Sequence, residues 1–234
     1  MIPIKGVQKT TLVDYPGALA CTVFLGGCDF RCGYCYNRDL VLKARALPSL
    51  PEEEFFSFLD SRKGILEGVC ITGGEPTLWE GLATFCRKIK ESGFKVKLDT
   101  NGARPERVKQ LIDAKLVDYV AMDLKAPLEK YASVTGVDTN VGKIRETISL
   151  LIQGESDYEF RTTIVPDKIS VREIREMACQ IQGAKRYYLQ QFRASATTIN
   201  PRYADMEPLS GASLRQMQEI ASEYVKEVGL RNVE

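Results

Sequence analysis

Cys28, Cys32 and Cys35 fall within eight residues, in the spacing C-x3-C-x2-C, and no fourth cysteine or histidine follows nearby. Iron–sulfur clusters are usually held by four thiolates. Three ligands leave one metal position open, and an open position is what chemistry needs. The spacing therefore points to a [4Fe–4S] cluster with one iron free to bind a small molecule. A structural zinc knuckle completed by a distant thiolate such as Cys21, or a chance grouping, are the other readings that spacing leaves open.

Other residues that could do chemistry follow the same logic. Gly26 and Gly27 permit a sharp turn before the cysteines, and Gly33 permits a left-handed backbone inside the loop. Gly73-Gly74-Glu75-Pro76 combines a closely approachable backbone with a carboxylate suited to an ammonium group. Asp99-Thr100-Asn101-Gly102 and Met122-Asp123-Leu124-Lys125 each end a strand-like run. Two acids at strand ends could share a cation, and Lys125 could meet a carboxylate; a turn and a surface ion pair are the plain alternatives. Arg161, if it faces inward, must be paired, because an unpaired buried charge is very costly. Cys70, Cys86 and Cys179 have no ligand spacing and read as small packing residues.

Elements that could position these residues alternate along the chain. Strand-like runs are Ala20–Leu25, Val69–Thr72, Val96–Asp99, Tyr119–Leu124, Tyr158–Val165 and Arg186–Phe192. Each is short and rich in apolar, β-branched or aromatic residues. Leu82, Phe85, Cys86 and Ile89 recur at helical spacing, as do Val141, Ile144, Ile148 and Leu151. Val171, Ile174, Ala178 and Ile181 repeat the pattern, and Leu214, Met217, Ala221, Tyr224 and Val228 extend it to a late helix. Pro51 before three glutamates reads as a helix start. Repeated β-α units imply an α/β fold with a parallel sheet and outer helices. Six strands are too few for a closed eight-stranded barrel and suit an open one, with ligands at the C-terminal strand ends. One domain spanning 1–234 is expected: a lead-in (1–18, hairpin or irregular), a core (19–193), then a loop and C-terminal helix (194–234).

Composition narrows the class. The chain has 234 residues, 44% hydrophobic and 27% charged, with a formal net charge of +1. That balance gives no reason to expect a nucleic-acid partner. No apolar stretch reaches membrane-spanning length, and the N-terminal residues lack a signal-peptide core, so a cytoplasmic protein with no membrane association is expected. Seven cysteines without a secretion signal argue against a disulfide framework. Histidine is absent, which excludes Ser-His, Cys-His and His-metal schemes.

The cysteine motif, with aromatic Tyr34 before its last cysteine and Gly-Gly-Glu-Pro after the next strand, resembles the radical S-adenosylmethionine superfamily. Leu98-Asp99-Thr100-Asn101-Gly102 and Met122-Asp123-Leu124-Lys125 resemble its glycyl-radical-enzyme activases. Lys9–Pro16 and Phe24–Cys28 are similar to activating proteins of anaerobic ribonucleoside-triphosphate reductase. The resemblance implies a radical SAM core, a partial (β/α)6 open TIM-like barrel, in which Cys28, Cys32 and Cys35 bind three irons while the fourth chelates S-adenosylmethionine. It places Tyr34 by the adenine and Tyr36 beside the cofactor. Gly73, Gly74 and Glu75 would hold the methionine ammonium, and Lys125 and Arg161 would neighbour its carboxylate. Asp99, Thr100 and Asp123 match a monovalent-cation site. The implied chemistry is reductive cleavage to a 5′-deoxyadenosyl radical that takes a hydrogen from a partner's glycine. The implied partners are a glycyl-radical enzyme and a flavodoxin- or ferredoxin-type electron donor.

Three departures accompany the resemblance. Tyr36 stands where many activases have His. No ferredoxin-like insert is present, and Gln190-Gln191-Phe192-Arg193 occupies a late region where some activases place a His. Alternatives are a pyruvate formate-lyase activase-like enzyme, a radical enzyme acting on another peptide or small molecule, and a non-enzymatic zinc or electron-transfer module.

Overall fold

Short apolar runs broken by glycine-rich turns give eight strands in the computed structural model, which describes residues 2–233. They are β1 (Ile4–Thr11), β2 (Ala20–Leu25), β3 (Gly68–Gly73), β4 (Lys95–Thr100), β5 (Tyr119–Asp123), β6 (Asp157–Ile164), β7 (Arg186–Gln191) and β8 (Glu227–Arg231). The helices are α1 (Arg38–Leu42), α2 (Glu52–Asp60), α3 (Leu82–Glu91), α4 (Pro105–Asp113), α5 (Tyr131–Thr135), α6 (Val141–Gln153), α7 (Val171–Gln180) and α8 (Gly211–Ala221). Strand order follows the sequence from β1 to β8 in one mostly parallel sheet that does not close on itself. The six strands expected from sequence are β2 to β7, each end within one residue of its expected place.

Two elements differ from expectation. The lead-in forms β1, an antiparallel edge strand paired with β2 from Ile4 opposite Leu25 to Thr11 opposite Ala20. The late helical pattern stops at Ala221, and Val228 lies instead in β8, parallel to β7. Val228 matched the helical period, but a three-residue sequence of turns after Ala221 redirects the chain, and Tyr187 pairs with Val228. No described helix is long and apolar enough to cross a membrane.

The chain forms two compact units: one runs from the N-terminus to Asp29 with Asp39–Thr100 and Glu106–Val120, the other comprises Phe30–Arg38, Asn101–Pro105 and the chain from Ala121 onward. In the first, β2, β3 and β4 pair in parallel. Val23, Val69, Ile71, Val96 and Leu98 are fully buried, as expected where helices cover a parallel sheet. Phe55 of α2 meets Phe85 of α3 at 5.4 Å. In the second unit, β6, β7 and β8 pair in parallel. Ile144, Ile148 and Leu151 of α6 and Ile174 and Ala178 of α7 are buried, the faces their spacing foretold. A capping box starts α7: Ser170 and Glu173 satisfy each other's backbone donors.

Candidate functional site

All the candidate residues except Arg161, which lies within β6, sit at or beyond the C-terminal end of a strand, where ligands bind in open α/β sheets. In the first unit the loop after β2 and the loop after β3 lock together through main chain. Gly74 N–H donates to the Leu25 carbonyl at 2.8 Å and Glu75 N–H to the Gly27 carbonyl at 2.7 Å. A Cβ on Gly74 would lie 1.9 Å from the Gly27 oxygen. Glycine is therefore required there by the neighbouring backbone. The single tryptophan, Trp79, seals the same corner: its indole N–H donates to the Gly26 carbonyl at 2.9 Å. Sequence reasoning passed over Trp79, although a lone tryptophan three residues beyond a Gly-Gly-Glu-Pro turn is a visible signal.

Glu75 is 1% exposed. Its Oε1 accepts from the Thr77 N–H at 3.0 Å and the Thr100 hydroxyl at 2.8 Å, as well as from the Thr77 hydroxyl. This carboxylate braces the loop after β3 against the end of β4 and caps the 3₁₀ turn Pro76–Leu78. Thr100 is thus engaged with Glu75. Asp99 pairs with Lys97, a lysine 1% exposed in the middle of β4 that sequence reading overlooked.

The second unit gathers the strongest charges. Lys125 Nζ and Arg161 Nε each donate to the Asp123 carboxylate at 2.9 Å, one to each oxygen. Burial alone would raise the Asp123 carboxyl, but Arg161 and Lys125 hold it well below the usual carboxylate range. Burial likewise disfavours the charged Lys125, yet Asp123 keeps its ammonium well above the ordinary value. Arg161 faces inward and is paired, the arrangement its burial demands.

Cys32 and Tyr34 are buried on the same unit, whereas Tyr36 is 63% exposed. The Cys32 thiol is pushed up to about 11, chiefly by burial, with Lys125 pulling the other way. Burial raises Cys35 as well. A metal bound at these thiols takes the place of their protons. Gly33 does not adopt a left-handed backbone, contrary to the sequence expectation. It is glycine because Tyr203 and Asn200 pack against it: a Cβ would sit 3.0 Å from the Tyr203 ring.

The donor set fits an iron–sulfur cluster. Among the described residues, no three His, Cys, Asp or Glu converge on one ion site. A cubane distributes its thiolates over separate irons and needs no such convergence. The remaining cysteines lie elsewhere: Cys21, Cys70 and Cys86 are buried in strands or helix, and Cys179 is exposed on α7. Burial drives Cys21 and Cys86 up to about 12, the behaviour of packed thiols. Cys21 lies inside β2, so the zinc-knuckle reading gains nothing from it.

The ordered, unclosed and mostly parallel sheet defines an open α/β fold. Residues 22–178 match the radical SAM superfamily, and the chain belongs to it. It is a radical SAM enzyme, of a family that works with a [4Fe–4S] cluster and S-adenosylmethionine. A Methanocaldococcus jannaschii protein named for glycyl-radical enzyme activation is 31% identical, covering 98% of this chain and 96% of its own. The 7-carboxy-7-deazaguanine synthase of Thermococcus kodakarensis is 26% identical over 90% of this chain and 83% of its own. Pyruvate formate-lyase 1-activating enzyme of Escherichia coli is 36% identical over 52% of this chain and 51% of its own. Among solved structures, Streptococcus suis SuiB bound to S-adenosylmethionine has the same fold, with a TM-score of 0.66 at 18% identity over 88% of this chain and 48% of that one.

Proposed function

We propose that this protein is an activase that installs a glycyl radical on a partner enzyme, and that the partner is anaerobic ribonucleoside-triphosphate reductase. The observation that carries the activase reading is the near full-length similarity to the M. jannaschii relative. The reductase assignment rests on the likeness of Lys9–Pro16 and Phe24–Cys28 to activating proteins of that enzyme. A pyruvate formate-lyase activase-like role is the nearest alternative, supported over half the chain. The deazaguanine synthase similarity, at lower identity, supports a small-molecule reaction instead.

In this reading Cys28, Cys32 and Cys35 hold the cluster by three irons. When bound, the reduced cluster would supply the electron for reductive cleavage of S-adenosylmethionine, the source of the radical that would take hydrogen from the partner's glycine. The protein's task is to orient the cofactor and exclude water. Lys125 and Arg161 present positive charge for a ligand carboxylate, with Asp123 fixing both side chains. Gly73 and Gly74 offer main-chain groups beside the ligand ammonium, and Glu75 holds that loop in place. Tyr34, buried in the cysteine loop, and the exposed Tyr36 would neighbour the adenine and the cofactor, as the resemblance implies. Asp99, Thr100 and Asp123 are the residues the resemblance implies for a monovalent cation; Asp99 pairs with Lys97, and Asp123 with Lys125. A cytoplasmic setting, with thiols kept reduced, and a flavodoxin- or ferredoxin-type donor complete the proposal.

The test is anaerobic reconstitution, reduction and mixing with S-adenosylmethionine and the reductase. A glycyl-radical EPR doublet on the reductase is expected. Cleavage of S-adenosylmethionine without that doublet removes the activase reading and leaves the superfamily assignment intact.

A further inference from the structure

The stretch after β7 has no periodicity, yet it holds the cysteine loop by its main chain. Asn200 N–H donates to the Gly33 carbonyl at 2.8 Å and Ile199 N–H to the Cys35 carbonyl at 3.0 Å. The Thr197 hydroxyl donates to the Tyr36 carbonyl at 2.9 Å. Below them Tyr203, 3% exposed, packs against Gly33 and meets the Tyr34 ring edge-on at 6.3 Å.

The stretch is itself braced. Thr198 is 1% exposed, and its hydroxyl bonds the Ser195 and Asn200 carbonyls, both at 3.1 Å. Asn200 caps the 3₁₀ turn Pro201–Tyr203. The Arg202 guanidinium lies 4.6 Å over the Tyr203 ring and pairs with Asp167. A segment so tied cannot shift without moving Gly33, Cys35 and Tyr36.

We propose that Thr197–Tyr203 is a clamp that positions the cysteine loop, with Tyr203 as its central positioning residue. The inference rests on the cysteine loop being the cluster site, and the clamp's contacts are made by protein groups alone. It presets the placement of Cys35 and of Tyr34, so that less chain must be ordered when the cluster arrives. Losing contacts that orient metal ligands typically costs roughly 10–100-fold in metal affinity.

The experiment begins with metal-free protein and amide hydrogen exchange of the 195–203 peptide. Protection of Ile199 and Asn200 is expected, and Tyr203→Ala should speed their exchange at least tenfold. Tyr203→Phe keeps the ring and should behave as wild type. After anaerobic reconstitution, Tyr203→Ala should lose iron to a chelator roughly tenfold faster, with a shifted cluster midpoint potential and EPR signal. Thr197→Val removes one exposed donor and leaves the fold alone; it should shift the potential with unchanged unfolding. If Tyr203→Ala fails to fold, Thr197→Val decides the matter alone. Unprotected amides in wild type, or variants equal to wild type in exchange, iron retention and potential, overturn the clamp. Protected amides in a wild-type protein that takes up no iron would refute the cluster reading while the clamp stands.

Discussion

Glu75 N–H donates to the Gly27 carbonyl at 2.7 Å, joining the start of the cysteine loop to the Gly-Gly-Glu-Pro turn. Neither loop is free to move alone, and the contact leaves no room for a side chain on Gly74. Gly74→Ala should therefore destabilise the protein by about 3 kcal/mol, because two backbones must separate. Urea unfolding measures the loss, and iron content after reconstitution should fall with it. A variant with wild-type stability would mean the two loops are less tightly joined than the structure shows.

Glu75 serves three donors through one oxygen. Glu75→Ala leaves the Thr77 and Thr100 groups buried with that acceptor gone, at a cost of about 2–3 kcal/mol. Glu75→Gln keeps an oxygen in place and should lose less than half as much. Thermal unfolding of the two variants separates bracing from charge; S-adenosylmethionine binding to the reconstituted Gln variant reports whether the carboxylate also serves the ligand.

Asp123 links stability to acidity. Its carboxyl is depressed in the folded state, so its contribution is present above the ordinary carboxylate range and is lost as pH falls below about 4. Asp123→Asn should cost about 3 kcal/mol at pH 7, since Lys125 and Arg161 lose the charge between them. The wild-type advantage should shrink steadily as unfolding is measured from pH 5 to pH 2. An advantage that does not change with pH would show that charge is not its source.

Lys97 offers a test of ion dependence. It is buried against Asp99, with its ammonium 3.7 Å from the Cys70 sulfur. Wild type should unfold at the same temperature in potassium and choline salts of equal strength. Lys97→Met should lose about 3 kcal/mol. A potassium-specific rise in wild type would support the cation site implied by the resemblance.

Cys32→Ala should abolish iron uptake, whereas Cys86→Ala should retain it with a modest packing loss of about 1 kcal/mol. Metal analysis of the two reconstituted proteins distinguishes them directly. Iron bound equally by both would move the cluster away from the cysteine loop.

Local spacing made much of this protein legible. The cysteine motif, the six strands β2 to β7 and the buried faces of α3, α6 and α7 all follow from residues within a turn or a strand of one another. β8 was not legible, because Val228 continued a helical period while its strand pairing is made with Tyr187, far back in sequence. The reason for Gly33 was misread for the same cause: the atoms that exclude a side chain there belong to Asn200 and Tyr203.

Sequence alone settled which thiols share a loop and which superfamily they announce, since both are matters of order along the chain. Only the tertiary structure decided that Arg161 and Lys125 grip Asp123, that Glu75 is a buried brace, and that an aperiodic stretch holds the cysteines from below. Arg161 and Asp123, Glu75 and Thr100, and Asn200 and Gly33 are 25 or more positions apart. Packing and burial, which no local pattern encodes, determine which of a residue's possible partners it meets.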